Sequence, residues 1–299
     1  MLDMIDDTYA YGLGRLAAVG APAYTFGGYP GLSSGYNAGY GSTALRGEEY
    51  RDVGIKAYQY MIENTQSGPF GWGENILNST ADTPWEGNHA TSGGGSCQHM
   101  WGQSVATKML FDSLIAEKSD GTVIIGRGIP AEWVTDGEAV EIDKAAVSGG
   151  KMGYRLSVDG TTVTLRFNGD AYREKSVELL ALKDNIVSAG GLQFDAAAGV
   201  VTVPAGVSEV VIEMKGDPKE KVDWKNANDA LQRALNNAPD YTESADAYTK
   251  ESYGAYASAL AAARAMLQDD ARTAAGMNAA AEALQNAVSG MKLIDITEP

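Results

Sequence analysis

Apolar residues recur three and four positions apart in three stretches near the start of the chain. This spacing places them along one side of an α-helix, which completes a turn every 3.6 residues. In the first stretch the residues concerned are Ile5, Tyr9, Leu13 and Leu16. The pattern predicts helices over about residues 3–19, 47–66 and 98–118.

Two unusually long connections, residues 20–46 and 67–97, separate the three predicted helices. Both connections are rich in Gly, Ser, Tyr and Trp. Connections of this length inside a compact domain are usually functional or disordered. Candidate chemistry is therefore expected first in these two segments.

Beyond Gly121 the apolar residues alternate with polar ones, which is the spacing of a strand with one buried face. Turn-forming dipeptides such as Asp120-Gly121 and Asp159-Gly160 lie between the apolar runs. The predicted strands are residues 122–125, 153–158, 161–167, 176–182, 200–203 and 209–214. Short strands separated by turns are typical of an antiparallel β-sandwich, here over residues 120–215.

A charged stretch at residues 216–222 ends the alternation and is interpreted as a linker. The chain after it is rich in alanine, and its apolar residues return to helical spacing. Helices are predicted over about residues 223–238, 247–268 and 272–291. Three helices of ordinary length can bury a common apolar stripe, so residues 223–293 are predicted to form a three-helix bundle.

The charge balance excludes several classes of partner. The chain of 299 residues has 23 Lys and Arg against 39 Asp and Glu, a formal net charge of -16. Negative charge repels phosphate backbones and anionic lipid, so we expect no nucleic acid or membrane surface as a partner. The sequence contains no apolar run of about 18 residues, the length needed for a bilayer crossing. A single cysteine, Cys97, excludes an internal disulfide and a cysteine-based zinc site.

The first residues carry acidic side chains where a secretory signal would carry Lys or Arg. Met1 also leads directly into an amphipathic helical pattern, without a capping residue or a preceding strand. We therefore expect this chain to be part of a longer protein.

The second connection places two carboxylates close to two tryptophans. Glu74 lies two residues after Trp72, and Glu86 directly follows Trp85. Sites that hold sugars combine aromatic rings, which pack against C–H faces, with polar groups that bind hydroxyls. A carboxylate held against an indole is also a common setting for a tuned acid or base. Glycoside cleavage uses a pair of carboxylates, but composition alone leaves the pairing of Glu74 and Glu86 open.

The chain has two histidines, His89 in the same connection and His99 just after it. Apart from Glu86, which lies three residues before His89, no Asp or Glu lies three or four residues from either histidine as a further metal ligand on the same face. We expect both histidines to form hydrogen bonds or to contact a sugar, together with Trp101. We expect no metal site.

Three segments resemble the end of an (α/α)6-barrel glycoside hydrolase. They are Thr83–Gly87, Gln98–Gly102 at the start of a helix, and Gly121–Trp133 at the start of the β-sandwich. Among such enzymes, the segments most resemble glycoside hydrolase family 121, the β-L-arabinobiosidases, which are large secreted bacterial enzymes. The resemblance implies that residues 1–119 are the last helices of an incomplete barrel and that Glu86 is a catalytic carboxylate. It further implies a retaining reaction, no cofactor and a partner carboxylate upstream.

Residues 223–291 separately resemble a FIVAR module, a three-helix unit common on Gram-positive surface proteins. The segments that carry this resemblance are Ala230–Leu231, Tyr241–Thr242, Thr249–Tyr253, Ala257–Ala263 and Ala279–Val288. A barrel end, a sandwich and a FIVAR module in this order are typical of exported glycan-degrading enzymes. The two resemblances together imply a secreted or cell-surface location, an oligosaccharide or polysaccharide substrate from plant or host glycans, and the cell wall as a further partner.

Two other interpretations of the same residues stay open. A non-catalytic surface module would bind glycan or mediate adhesion, with the helical part as its support. An intracellular sugar phosphorylase of the same barrel architecture would need a phosphate pocket. Few basic residues lie near the connecting segments to form one, Arg46 and Arg51 among them. The FIVAR-like unit favours a surface location over the phosphorylase.

Overall fold

The computed structural model describes residues 2–18, 31–33, 43–45, 49–64, 66–68, 71–77, 99–169 and 173–294. Three residues singled out in the sequence, Trp85, Glu86 and His89, lie outside these ranges. The chain divides into two compact units, Met1–Pro218 and Lys219–Pro299. The boundary falls within the charged stretch that the sequence analysis interprets as a linker.

The helices of the first unit lie where helical periodicity predicts them. In the described part they are α1 (Leu2–Ala18), α2 (Arg51–Asn64) and α3 (Met100–Leu114). The buried members of a hydrophobic cluster to which α2 and α3 contribute are Leu45, Ile55, Tyr58, Trp72, Ala106 and Met109. The prediction of helices in these stretches is confirmed.

Short strands occur in and beside the two long connections, for which the sequence analysis predicts none. Strand β1 (Gly31–Ser33) pairs antiparallel with β4 (Asn75–Leu77), and β2 (Gln66–Gly68) pairs antiparallel with β3 (Gly71–Trp72). The ladder between β1 and β4 joins the first connection to the second. The two glycine-rich segments therefore meet in the fold.

Two five-stranded sheets are present in the described part of the first unit. Their strands are β5 (Ile115–Glu117), β6 (Val123–Ile125), β7 (Ala139–Val147), β8 (Gly150–Asp159), β9 (Thr162–Gly169), β10 (Lys175–Glu178), β11 (Ile186–Ser188), β12 (Phe194–Asp195), β13 (Val200–Val203) and β14 (Glu209–Met214). One sheet has the order β12-β13-β10-β6-β5 and the other β11-β14-β9-β8-β7. Neighbouring strands are antiparallel except β6 and β10, which are parallel.

Alternation along the strands explains why the sheets form. In the antiparallel pair β8 and β9, Leu156 lies opposite Leu165 and both are fully buried, whereas the neighbouring Arg155 is exposed. The same hydrophobic cluster contains Val123 and Ile125 of the other sheet, so both sheets contribute to one core. A mixed α and β fold with two largely antiparallel sheets is confirmed.

The third helix ends before residue 118 because the chain continues as a strand. Ile115 adopts an extended conformation, with φ −149° and ψ 128°, and begins β5. Its partner across the ladder with β6 is Ile125. Sheet pairing determines where this helix ends, and a local periodicity does not contain that information.

Strand β7 is long, but the sequence analysis does not predict it. It lies at the edge of its sheet, and most of its residues are exposed or half-buried. A β-bulge also interrupts its register with β8 between Ile142 and Ala145. An exposed edge strand with a bulge lacks the regular apolar alternation on which the prediction of strands depends.

Gly153 in β8 faces this bulge, where an added Cβ would overlap the backbone carbonyl oxygens of Ile142 and Asp143. Because backbone atoms cannot move aside as a flexible side chain can, Gly153→Ala should lower the free energy of unfolding by about 1–3 kcal/mol. Gly150→Ala, in the same strand, is the matched control because a Cβ there meets open space. Urea denaturation measures both variants. Equal stability of the two would contradict the close backbone approach.

The second unit contains three α-helices in its described part. They are α4 (Lys219–Asn236), α5 (Lys250–Gln268) and α6 (Ala274–Ser289). The hydroxyls of Thr249 and Thr273 accept hydrogen bonds from the first turns of α5 and α6, as helix caps do. All three helices contribute to one hydrophobic core, with Leu231, Tyr256 and Leu284 buried in it. None of the helices described in either unit is long and apolar enough to cross a bilayer.

Candidate functional site

The described part of the predicted site lies where β3 meets the start of α3. The His99 N–H donates a hydrogen bond to the Trp72 carbonyl oxygen at 2.9 Å. The His99 Nδ1 accepts a bond from the Gly102 N–H at 3.3 Å, and His99 thereby caps α3. An extended residue with a side-chain acceptor satisfies an N–H group that a first helical turn leaves unpaired. The two bonds connect the end of β3 to the start of α3.

His99 Nδ1 thus acts as a hydrogen-bond acceptor at the start of α3, whereas contact of His99 with a sugar stays a prediction. Within the described ranges no group of three or more His, Cys, Asp or Glu side chains could hold a metal ion.

Trp101 lies in the first turn of α3 with its ring edge-on to the His99 imidazole. The ring centroids are 5.8 Å apart and the planes are inclined by 67°. The Trp101 side chain is 46% exposed. An indole that is accessible and held by a neighbouring ring can pack against the C–H face of a sugar. Trp101 is the described tryptophan that best fits the predicted role of sugar contact.

Trp72 lies in an environment that does not suit the same predicted role. Its side chain is 3% exposed and packs in the hydrophobic cluster with Ile55 and Met109. A ring buried to this extent offers almost no face to a ligand, whereas its burial stabilises the fold. The structure therefore gives Trp72 a packing role between β3 and the helices instead of a sugar-stacking one.

Glu74 lies two residues beyond Trp72, immediately before β4, and is half-buried. The hydrogen bond between Trp72 and His99 places this short segment beside the start of α3. A half-buried carboxylate two residues from the strand end that binds the helix cap fits either predicted role of Glu74, catalysis or orientation of a substrate.

Trp85, Glu86 and His89 lie outside the described residues. The described segments that flank them in the sequence, 71–77 and 99–101, are joined by the bond between Trp72 and His99. Glu74 and Trp101 therefore lie on two segments that are adjacent in the fold, although they are 27 positions apart in the sequence.

Strand β10 carries a buried ionic network that the sequence pattern does not predict. The Glu178 Oε2 accepts a hydrogen bond from Arg127 Nε at 2.6 Å and lies 2.5 Å from Arg127 Nη2 in an ion pair. Its Oε1 accepts a bond from the Ser176 hydroxyl at 2.8 Å and lies 3.4 Å from Lys118 Nζ. The signal in the sequence is a glutamate inside the apolar run of a predicted strand. A buried carboxylate requires such partners because an unpaired buried charge is costly.

The charges around Glu178 keep it ionised. Burial by itself raises the pKa of this carboxyl group. The positive charges of Arg127 and Lys118 and the hydrogen bond from Ser176 lower the pKa by more, so it lies below the ordinary glutamate value. At neutral pH Glu178 is therefore an anion paired within the fold, which suits a structural role.

Arg51, considered above as a phosphate ligand, belongs to the same network. Its side chain is buried, and its Nη1 donates to the Glu178 backbone carbonyl oxygen at 3.3 Å. Arg46 lies outside the described residues. An arginine that is buried and bound to the sheet is poorly placed to bind a substrate phosphate, which weakens the phosphorylase interpretation.

Comparisons with family models, with curated proteins and with solved structures found no match for this chain. The function is therefore inferred from the motifs and from the geometry of the described residues.

Proposed function

We propose that this chain is the C-terminal part of a secreted glycoside hydrolase. In this proposal residues 1–119 are the last helices of an (α/α)6 barrel, the two sheets form a β-sandwich, and the second unit is a FIVAR-like bundle. The substrate is a plant or host glycan, with β-L-arabinooligosaccharides as the first class to test. The reaction is hydrolysis of a glycosidic bond by two carboxylates without a cofactor.

The observation that most directly supports the proposal is the contact between β3 and the start of α3. It brings together the segments of Glu74, His99 and Trp101, which come from both sides of the Trp85-Glu86 motif. Carboxylates, a hydrogen-bonding imidazole and an accessible indole are the groups that a sugar site combines. The proposed site therefore contains Glu86, Glu74, Trp85, His89, His99 and Trp101.

The proposed chemistry assigns different roles to the carboxylates. One carboxyl group protonates the leaving oxygen, while the other activates water or attacks the anomeric carbon. Glu86 takes the second role, and Glu74 supports it or orients the substrate. The general acid is then a carboxyl group from a part of the enzyme that precedes this chain. A separation of about 5–5.5 Å between the two catalytic carboxyl groups would give retention, and about 6.5–9.5 Å inversion.

A non-catalytic glycan-binding surface module is the second candidate. The exposed indole of Trp101 favours it, because stacking on a sugar requires no carboxylate. Both candidates predict that the chain binds a glycan, but only the hydrolase predicts that the whole enzyme cleaves it.

Trp101→Ala tests the binding that both candidates require. The substitution should weaken binding of an arabinan-derived oligosaccharide roughly tenfold, because the stacking surface is lost. Phe111→Ala is the matched control, since Phe111 is equally exposed on the same helix at 46%. Calorimetric titration of the chain measures both affinities. We expect the Phe111 variant to bind like the unchanged chain.

The outcomes separate the candidates. Binding that depends on Trp101, together with hydrolysis by the whole enzyme, supports the hydrolase. The same binding without hydrolysis supports the surface module. If Trp101→Ala and Phe111→Ala bind the oligosaccharide equally well, Trp101 is not part of a sugar site.

A further inference from the structure

The second unit has a cleft of about 350 Å³ between α5 and the segment that follows α4. The α5 side includes Tyr253, Ala257 and Arg264. These residues share one face of the helix because they follow one another at spacings of four and seven residues, which are about one and two helical turns. The small side chain of Ala257 leaves room between the larger residues. Asp240 and Tyr241 line the opposite side. The volume lies at the lower end of the range for small-molecule sites.

Buried contacts hold the two sides of the cleft in place. Tyr256, on α5, is 4% exposed, and its hydroxyl donates a hydrogen bond to the Pro239 carbonyl oxygen. The Tyr241 ring packs edge-on against the Tyr256 ring, with centroids 5.0 Å apart and planes inclined by 77°. On its other side Tyr241 contacts the Tyr248 ring at 5.0 Å. A cleft whose sides are already ordered binds a ligand at a smaller entropic cost.

The polar groups of the cleft are held in place, but some of their hydrogen-bonding atoms have no partner among the described residues. Asp240 Oδ1 accepts hydrogen bonds from the Thr242 hydroxyl at 2.5 Å and the Thr242 N–H at 2.9 Å. These two bonds, followed by the charge of Arg264, lower the pKa of Asp240 below its ordinary value. Within the described ranges, neither Asp240 Oδ2 nor the exposed Arg264 guanidinium has a hydrogen-bond or ion-pair partner. Asp240 and Arg264 thus interact through their charges without forming an ion pair, and a carboxylate oxygen and the guanidinium can both bind a ligand.

The phenol groups add aromatic faces and further hydroxyls. Tyr241 and Tyr253 are half-buried, so part of each ring faces the cleft, and their hydroxyls have no hydrogen-bond partner among the described residues. A sugar ring matches this combination because its C–H face packs on an aromatic ring. Its hydroxyls both donate to a carboxylate and accept from a guanidinium. A purely apolar ligand would leave Asp240 and Arg264 desolvated without partners, and an anion would be repelled by Asp240.

We propose that this cleft, named here the tyrosine cleft (Asp240, Tyr241, Tyr253, Tyr256, Ala257 and Arg264), is a binding site for a neutral saccharide unit. Asp240 accepts from one or two sugar hydroxyls, Arg264 donates to a neighbouring oxygen, and the rings of Tyr241 and Tyr253 contact the C–H face. The site lies wholly within the second unit. It contains no residue of the proposed catalytic site, so a result that contradicts one proposal leaves the other unaffected.

The test is a titration of the full chain, labelled with ¹³C at its tyrosine rings, with neutral oligosaccharides of arabinose, xylose and galactose. At least one of these probes should shift the ring signals of Tyr241 and Tyr253 in a saturable way. Asp240→Asn should weaken this binding about ten- to a hundredfold, because a hydrogen bond to a charged group is lost. The Asn side chain keeps an oxygen for the bonds from Thr242, so the turn should remain folded.

Arg264→Gln is the second variant and should weaken the same binding about tenfold or more. Asp246→Asn and Arg233→Gln are the matched controls, because both residues are exposed and neither lines the tyrosine cleft. Both controls should bind like the unchanged chain. Thermal unfolding of each variant verifies that the second unit is intact.

Two results would overturn the proposal. One is the absence of any shift of the Tyr241 and Tyr253 signals at tens of millimolar of every probe. The other is binding that survives both Asp240→Asn and Arg264→Gln. Trp101→Ala should leave these tyrosine shifts unchanged, which distinguishes failure of this site from failure of the site at the start of α3.

Discussion

Replacing Glu86 with Gln in the proposed glycoside hydrolase should lower kcat by roughly 10²–10⁴-fold, the usual contribution of a positioned acid or base. Gln has the size of Glu, but it neither takes up a proton nor attacks an anomeric carbon. The substitution therefore removes chemistry while it preserves volume. Release of reducing sugar from arabinan-derived oligosaccharides measures the loss, and urea denaturation should show little change in stability.

Two further variants serve as comparisons for Glu86→Gln. Glu74→Gln should lower kcat less than Glu86→Gln, or raise KM instead, because Glu74 is assigned a supporting role. Glu220→Gln, an exposed position of the second unit, is the matched control and should retain full activity. Ordinary turnover by the Glu86 variant would remove Glu86 from the mechanism. A larger loss in Glu74→Gln would exchange the two roles.

The second large effect concerns stability. Glu178→Gln should lower the free energy of unfolding by about 3 kcal/mol, because it leaves Arg127 and Lys118 without their buried anion. The estimate is at the low end for a broken buried pair, since side chains of Arg127 and Lys118 are 17% and 41% exposed. Guanidinium denaturation of the full chain, followed by far-UV circular dichroism, measures the change.

Glu209→Gln is the control for this prediction. Glu209 pairs with Arg166 at 2.5 Å, a distance like that between Glu178 and Arg127, but both partners are exposed. An exposed pair contributes about 0–1 kcal/mol because solvent screens it and its side chains lose entropy on pairing. If Glu178→Gln and Glu209→Gln lowered the free energy of unfolding equally, the ion pairs of Glu178 would contribute no more to stability than an exposed pair does.

The pH dependence supplies an independent check with a defined sign. The pKa of Glu178 is lower in the folded than in the unfolded chain, so its contribution to stability is present above the ordinary glutamate pKa of 4.5. The contribution is lost as the pH falls below that value and through the lowered folded pKa. We therefore expect the stability difference between the unchanged chain and Glu178→Gln to shrink on acidification. A difference that stays constant down to acid pH would contradict the lowered pKa.

Much of the candidate site could not be predicted from local sequence. The Trp-Glu spacing identifies Glu86 and Glu74 as candidates, and the residues before α3 indicate a helix start near His99. The opposite environments of Trp72 and Trp101 depend on packing. Both are tryptophans within or beside glycine-rich sequence, yet one is buried in the core and the other is accessible. Only contacts with α2 and α3 distinguish them.

The sequence by itself determined the main helical stretches and the region of alternating strands, because periods of 3.6 and two residues are local properties. It also determined the strong negative charge and the division between a mixed first unit and a helical second unit. Only the tertiary structure decided the end of α3, the edge strand β7, the partners of Glu178 and the tyrosine cleft. Each of these depends on pairing or packing in space, as between Arg127 and Glu178, which are 51 positions apart. Periodicity is a property of neighbours along the chain, whereas burial and pairing are properties of neighbours in space.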